Sequence, residues 1–241
     1  MISANKQSQI LKFYEINFYN WSFKKILKRM NLGGFLVAPA ASALAQIKED
    51  KQYYHALKNS HCAIFDSGFF CILLKLFLIY NPKKLSGFLF LKKFLAYKNI
   101  KKKKILLVNS SDYQGKLNLK LMYINKFKKV FLYTAPFYKS KNFSDKKLVN
   151  FIDKCKPNYI LINIGGGKQE PLAFFLYNNI KFKSTIFCLG GAIDFITGLQ
   201  APINEFVDKF YLGWFYRIMF DPKVFFIRVF KSLNLIKYFI K

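Results

Sequence analysis

Two apolar runs, residues 158–164 and 184–189, each end in glycines, and a segment of helical spacing lies between them. Short runs of β-branched and aromatic residues closed by glycine read as buried strands, and a 3.6-residue period between them reads as a helix. The stretch therefore predicts a βαβ unit with both strands buried. The alternation extends upstream. Residues 33–37, 62–65, 105–108 and 130–133 predict further strands. Helices are predicted from a Ser42 cap to about residue 50, then over 53–59, 69–80, 88–97 and 117–125, and from a Ser144 cap to 154. One more short helix is predicted over 23–30. Strands alternating with helices predict an α/β fold: a Rossmann-like, mainly parallel sheet flanked by helices.

The alternation stops near residue 206. The pattern divides the chain into an N-terminal segment (1–30), an α/β core (31–206) and a tail (207–241). In the tail, Phe225, Phe226, Val229, Leu233, Ile236 and Ile240 follow helical spacing, while Lys223, Lys231, Asn234, Lys237 and Lys241 fall opposite. Such a C-terminal amphipathic appendage suits an anionic membrane surface. Packing on the core or on another subunit of a homo-oligomer is the alternative.

Composition changes the picture in one respect. The 241 residues carry 40 Lys and Arg against 12 Asp and Glu, a formal charge of +28. A nucleic-acid partner is one reading of that charge. It is disfavoured because only Arg29, Arg217 and Arg228 are arginines, the preferred readers of phosphates and guanine edges. The lysines are also dispersed, and no nucleic-acid motif is present. Cys62, Cys71, Cys155 and Cys188 show no metal-ligand spacing, and with His55 and His61 as the only histidines no metal site or cofactor is implied. Residues 1–23 lack the apolar core of a signal peptide, and no apolar run reaches 18 residues. A cytoplasmic protein, peripheral on the inner face of the membrane, is the expectation.

Ligands of open α/β sheets bind beyond the carboxyl ends of the strands. Gly165, Gly166, Lys168, Gln169, Glu170 and Asp194 belong to that end of the βαβ unit. Asp66 follows the predicted strand 62–65 and precedes Ser67-Gly68, so it sits at the mouth of the sheet. Capping of the next helix is its bland reading. For Glu170 the bland reading is placement at the positive end of a helix, for Asp194 a helix cap, and for Lys84 an ordinary turn lysine.

Five short motifs occur in order: Gly-x-x-Lys168-Gln169-Glu170, Gly190-Gly191-Ala192-x-Asp194-Phe195-x-x-Gly198, Ala201-Pro202, Gly213-Trp214-x-Tyr216-Arg217, and upstream Asp66-Ser67-Gly68. Together they resemble the WecG/TagA/CpsF glycosyltransferases. That resemblance implies an inverting, metal-independent transfer of a sugar from a UDP-sugar to a polyprenyl-diphosphate-linked sugar acceptor in surface-polymer assembly. It implies Asp66 as the general base. Lys84, where the family tends to have Arg, becomes a cation for the diphosphate. Gln169, Glu170, Asp194, Gly165 and Gly166 would hold the nucleotide sugar. Arg217, Arg228 and Trp214 would meet the lipid diphosphate or the membrane. This chain departs from the family pattern at Ala38, Ala40, Gly167, Gln200 and Gly213, and Asn109-Ser110-Ser111 replaces an expected glycine pair. A non-catalytic nucleotide-sugar or membrane-binding protein of the same fold is therefore the rival reading, ahead of a basic nucleic-acid-binding protein.

Overall fold

The computed structural model describes residues 2–3, 9–138, 142–200, 219 and 222–240. Its strands are β1 (Ile2–Ser3), β2 (Ile10–Phe13), β3 (Ile16–Tyr19), β4 (Gly34–Val37), β5 (Cys62–Ala63), β6 (Lys104–Asn109), β7 (Lys129–Thr134), β8 (Tyr159–Asn163) and β9 (Thr185–Cys188). Among the described residues they form one nine-stranded sheet in the order β1-β2-β3-β5-β4-β9-β8-β6-β7. The strands from β3 to β7 in that order are parallel, and β1-β2-β3 form an antiparallel edge. The fold is thus α/β with a mixed, mostly parallel sheet.

Alternate residues of the central strands feed two separate cores. Phe35, Val37, Leu106, Val108, Ile160 and Ile186 face one side. There they meet α2 (Ala41–Ala45), α3 (Lys51–Lys58), α4 (Gly68–Leu78), α7 (Lys146–Cys155) and α8 (Gln169–Asn179). Leu36, Ile105, Leu107, Leu161 and Phe187 face the other side. Their partners are α1 (Phe23–Met30), α5 (Gly87–Ala96), α6 (Asp112–Ile124) and α9 (Ala192–Thr197). Buried on both faces, the strands need apolar residues at every position, which is why they read as continuous runs.

Most helices start on a side chain that accepts the N–H three residues on. Ser22 caps α1, Asp50 caps α3, Ser67 caps α4, Ser86 caps α5, Ser111 caps α6 and Asp145 caps α7. Several sequence expectations change here. The cap of α7 is Asp145, one residue after Ser144. Ser42 caps nothing, because α2 begins at Ala41 and lasts one turn. The helix predicted from 117 starts at Asp112, since Ser111 caps it and Gly115 is tolerated inside it. A Cβ on Gly115 would lie 3.3 Å from the buried Asn109 amide, so the small residue makes room for that side chain.

The segment 1–30 holds more structure than its sequence announces. Beyond the expected α1, β2 and β3 pair as a hairpin through Tyr14 and Glu15, whose φ angles are 45° and 62°. Two left-handed central residues make the turn that suits strand twist, and Asn or Gly is the usual choice there. Neither is present, so the turn carried no sequence signal.

The tail helix α10 (Pro222–Leu233) also ends sooner than the stripe of apolar residues predicts. Phe226 and Leu233 of that stripe are exposed, and among the described residues of the tail the fully buried one is Leu235, outside the stripe. Phe239 packs on Phe13, Phe70 and Phe77, and the Tyr238 hydroxyl donates to the Ala45 carbonyl at 3.2 Å. Replacing Leu235 with Ala is expected to cost about 2–4 kcal/mol of unfolding free energy. Ile240→Ala, at an exposed position, should stay within about 0.5 kcal/mol. Denaturant titration of both variants checks the difference.

Candidate functional site

The carboxyl ends of β5, β4, β9, β8, β6 and β7 follow one another along one edge of the molecule. Adjacent strands β8 and β6 send their chains to opposite faces, α8 to one and α6 to the other, the arrangement at which open α/β sheets form their crevice.

Asp66 lies just beyond β5 and is half-buried. Ser67, not Asp66, caps the helix that follows. The Asp66 carboxylate instead accepts the N–H of Gly87, the first residue of α5, at 2.8 Å. Leu85 N–H also donates to the Phe65 carbonyl at 3.1 Å, so Lys84 is carried on a turn bonded to the strand end that bears Asp66. Glycine is required at position 87, where a Cβ would come within 2.5 Å of the Leu189 carbonyl oxygen. Asp66, the start of α5 and the exit of β9 thus meet at one point. Sequence reading found Asp66 and missed Gly87, whose signal was the Ser-Gly pair at the helix start.

The glycine turn after β8 is open. Gly165 and Gly167 have φ of 93° and 84°, and a Cβ on Gly165, Gly166 or Gly167 would meet nothing within 4 Å. Gln169, fully buried, is occupied at both ends of its amide. Its Nε2 donates to the Gly190 carbonyl at 2.9 Å, and its Oε1 accepts the Gly190 N–H at 3.1 Å. The side chain therefore ties the exit of β9 to the start of α8. Glu170, nearly as buried, accepts the Gly167 N–H at 2.9 Å and so closes the glycine turn. Burial pushes its carboxyl up to about 7 against the pull of the Gly167 and Glu170 N–H groups.

Asp194 stands in the first turn of α9, where it accepts from Gln114 Nε2 at 2.7 Å and Gln200 Nε2 at 3.2 Å. Gln114 in turn accepts from the Ser110 N–H and hydroxyl. The chain Ser110–Gln114–Asp194–Gln200 locks α6, α9 and the exit of β6 together. Burial raises the Asp194 carboxyl above its ordinary value, opposed by these amide bonds. The polar network through Gln114 was not legible in the sequence, because its members are 80 residues apart.

Arg228 lies on the exposed part of α10. Trp214, Arg217, Ala201 and Pro202 lie outside the described residues. A groove of about 650 Å³ is lined by Lys51, His55, Phe143, Pro171 and Phe174 among others, on the flank of α3 and α8. None of the site residues named above lines it. Among the described residues no cluster of His, Cys, Asp and Glu is arranged to hold a metal ion, and no helix is long and apolar enough to cross a membrane.

These features define an α/β protein with a mostly parallel sheet, at whose carboxyl ends lie open glycine turns and the Asp66 carboxylate. The chain belongs to the WecG/TagA/CpsF family of glycosyltransferases, whose family model matches residues 11–241. No curated protein matches it at a significant level.

Glu170 gives a test of the site's electrostatics. An ordinary glutamate titrates near 4.5, whereas this one titrates near 7 in the fold. Between those values the folded state keeps a proton that the unfolded chain has released, so Glu170 lowers stability as pH rises through the window. Glu170→Gln removes that dependence. Its melting temperature should exceed the wild type by roughly 5 °C at pH 8, with the gap closing toward pH 5. A gap that does not vary with pH, read by scanning calorimetry, would refute the ionisation argument.

Proposed function

We propose that this protein transfers a sugar from a UDP-sugar, with inversion and without a metal ion, to a lipid-diphosphate-linked sugar at the cytoplasmic face of the membrane. Family membership supports the glycosyl transfer. The observation that carries the mechanism is the Asp66 carboxylate, held on the first N–H of α5 where that helix start meets the exit of β9 and the open Gly190 turn.

In this reading, the acceptor hydroxyl oxygen attacks the anomeric carbon as its proton passes to Asp66. The bond from that carbon to the diphosphate oxygen breaks, and UDP leaves with the electron pair. Lys84, on the turn bonded to the end of β5, supplies positive charge to the departing diphosphate. The engaged amide of Gln169 makes it a positioning residue for the Gly190-Gly191 turn. Asp194 likewise shapes the crevice through Gln114. The glycine turns after β8 and β9 support a Rossmann-like use of the sheet, with the donor lying along the strand ends. N-acetylmannosamine transfer is the family subtype the resemblance favours.

Asp66→Asn separates catalysis from structure. Asn keeps the size and can still accept the Gly87 N–H, but it cannot take a proton near neutral pH. Turnover should fall on the order of 10²–10⁴, with melting temperature and UDP affinity little changed. Wild-type turnover in the variant would remove Asp66 from the mechanism. UDP binding by a wild-type protein that turns over no UDP-sugar would favour the non-catalytic reading.

For membrane attachment the support is α10, where exposed Phe226, Ile227 and Phe230 lie among Arg228 and Lys231. Exposed aromatics gain by insertion and cations by anionic lipid. Phe226→Ser with Phe230→Ser should weaken sedimentation with anionic vesicles at least roughly tenfold, with an unchanged melting temperature. Unaltered sedimentation would remove α10 from the attachment.

A further inference from the structure

Helix α4 carries one charged residue, Lys75, and beyond it the helix is apolar on the side it turns outward. Leu76 there is 71% exposed and Phe77 45%. The helix stops at Ile79, whose φ of 50° is uncommon for a β-branched residue. At that left-handed turn Ile79 points outward, 68% exposed, while Tyr80 turns inward and packs on Phe65. The chain then returns along the carboxyl ends of the strands. The Asn20 amide, just beyond β3, donates to the Asn81 carbonyl at 3.2 Å and accepts the Lys83 N–H at 2.6 Å. Strand β3 is the parallel neighbour of β5, and Asp66 follows β5. Ile79 stands two residues before that anchor, so the apolar patch lies near the strand end that bears Asp66. Phe77 also meets Phe239 of the tail, with ring centroids 5.7 Å apart, and Ile240 beside it is exposed.

We propose that the end of α4, through Leu76, Phe77 and Ile79, is a docking surface for an anionic lipid bilayer on the Asp66 side of the molecule. The inference rests on the proposed membrane reading and adds a contact separate from α10. Charge selects lipid over a second copy of the chain. From Ser67 to Ser111 the sequence holds no acidic residue, while Lys75, Lys83 and Lys84 adjoin the patch. Two copies meeting here would oppose lysine to lysine, with no acid from this stretch between them. An anionic headgroup layer instead supplies the countercharge as the apolar side chains enter the acyl boundary. Length sets the mode of contact. The 11 residues of α4 span about 16 Å against a hydrocarbon core of about 30 Å. The helix therefore rests in the interface and does not cross it. Docked this way, the strand end bearing Asp66 faces the layer in which a lipid-linked acceptor presents its sugar.

The test is sedimentation of the full chain with vesicles of equal parts phosphatidylglycerol and phosphatidylcholine, and with phosphatidylcholine alone. Leu76→Ser with Ile79→Asn should weaken binding to the anionic vesicles roughly tenfold or more. Asn tolerates a left-handed backbone, so the melting temperature should not fall. Leu76→Trp should bind as the wild type does, and its added tryptophan emission should shift to the blue on the anionic vesicles. Equal binding by the double variant and the wild type overturns the α4 contact and leaves attachment through α10 intact. A lowered melting temperature, or loss of a wild-type oligomer with vesicle binding unchanged, assigns the face to packing or to a second copy and also overturns it. Absence of the blue shift in Leu76→Trp overturns it whatever the double variant does. A wild-type protein that binds neither vesicle overturns the membrane reading and the contact with it.

Discussion

Because each crossover between parallel strands turns with the same hand, a chain that reverses its direction across the sheet must move its helices to the other face. Here the links β4 to β5, β7 to β8 and β8 to β9 run one way and put α2, α3, α7 and α8 on one face. The links β5 to β6 and β6 to β7 run the other way and bring α5 and α6 to the opposite face. The reversal after β5 passes through the segment between α4 and α5, and this is the segment that delivers Gly87 to Asp66. The site at the strand ends is thus a consequence of topology before it is a consequence of any side chain.

The polar residues of the crevice then divide by what already holds them. Gln169, Glu170 and Asp194 have hydrogen bonds to other parts of the site, and each bond joins two elements or closes one turn. Removing such a partner leaves a buried group unpaired, which costs more than the bond itself contributes. Their work is therefore to keep two glycine turns and three strand exits in fixed relation. Among the described residues of the crevice, the backbone at Gly165–Gly167 and Gly190 has open space beside it. Preorganisation of this sort lowers the ordering cost of binding.

Much of this was legible in the sequence, and the exceptions share a cause. The βαβ unit of β8, α8 and β9 was readable because buried parallel strands and glycine turns leave a local signature. So was Asp66 at a strand end. Long-range pairings left none: the Asp66–Gly87 bond spans 21 residues and the Gln114–Asp194 bond 80. The hairpin at Tyr14-Glu15 escaped because its turn uses neither Gly nor Asn. Asp145 was passed over for Ser144 because both are good caps and only geometry chooses between neighbours. The tail misled in another way, since its apolar spacing continued past Leu233 while the backbone did not.

Charge ties these threads together. With 40 basic residues and 12 acidic ones, the chain had acids in short supply for ion pairs. Yet Asp50, Asp66, Asp145, Asp153 and Glu170 all accept backbone N–H groups, and Asp112 and Asp194 accept from neutral side chains. An exposed pair such as Lys58–Glu15 contributes little, because water screens it. A carboxylate on a helix start or a tight turn satisfies a donor that would otherwise be orphaned. Placing the acids there leaves the lysine excess uncompensated over the surface. The resulting positive field favours anionic ligands and anionic interfaces without specifying either. In the proposed reading, specificity then comes from the strand ends, where the Asp66 carboxylate disfavours an anion beside it and the open glycine turns offer backbone space for one.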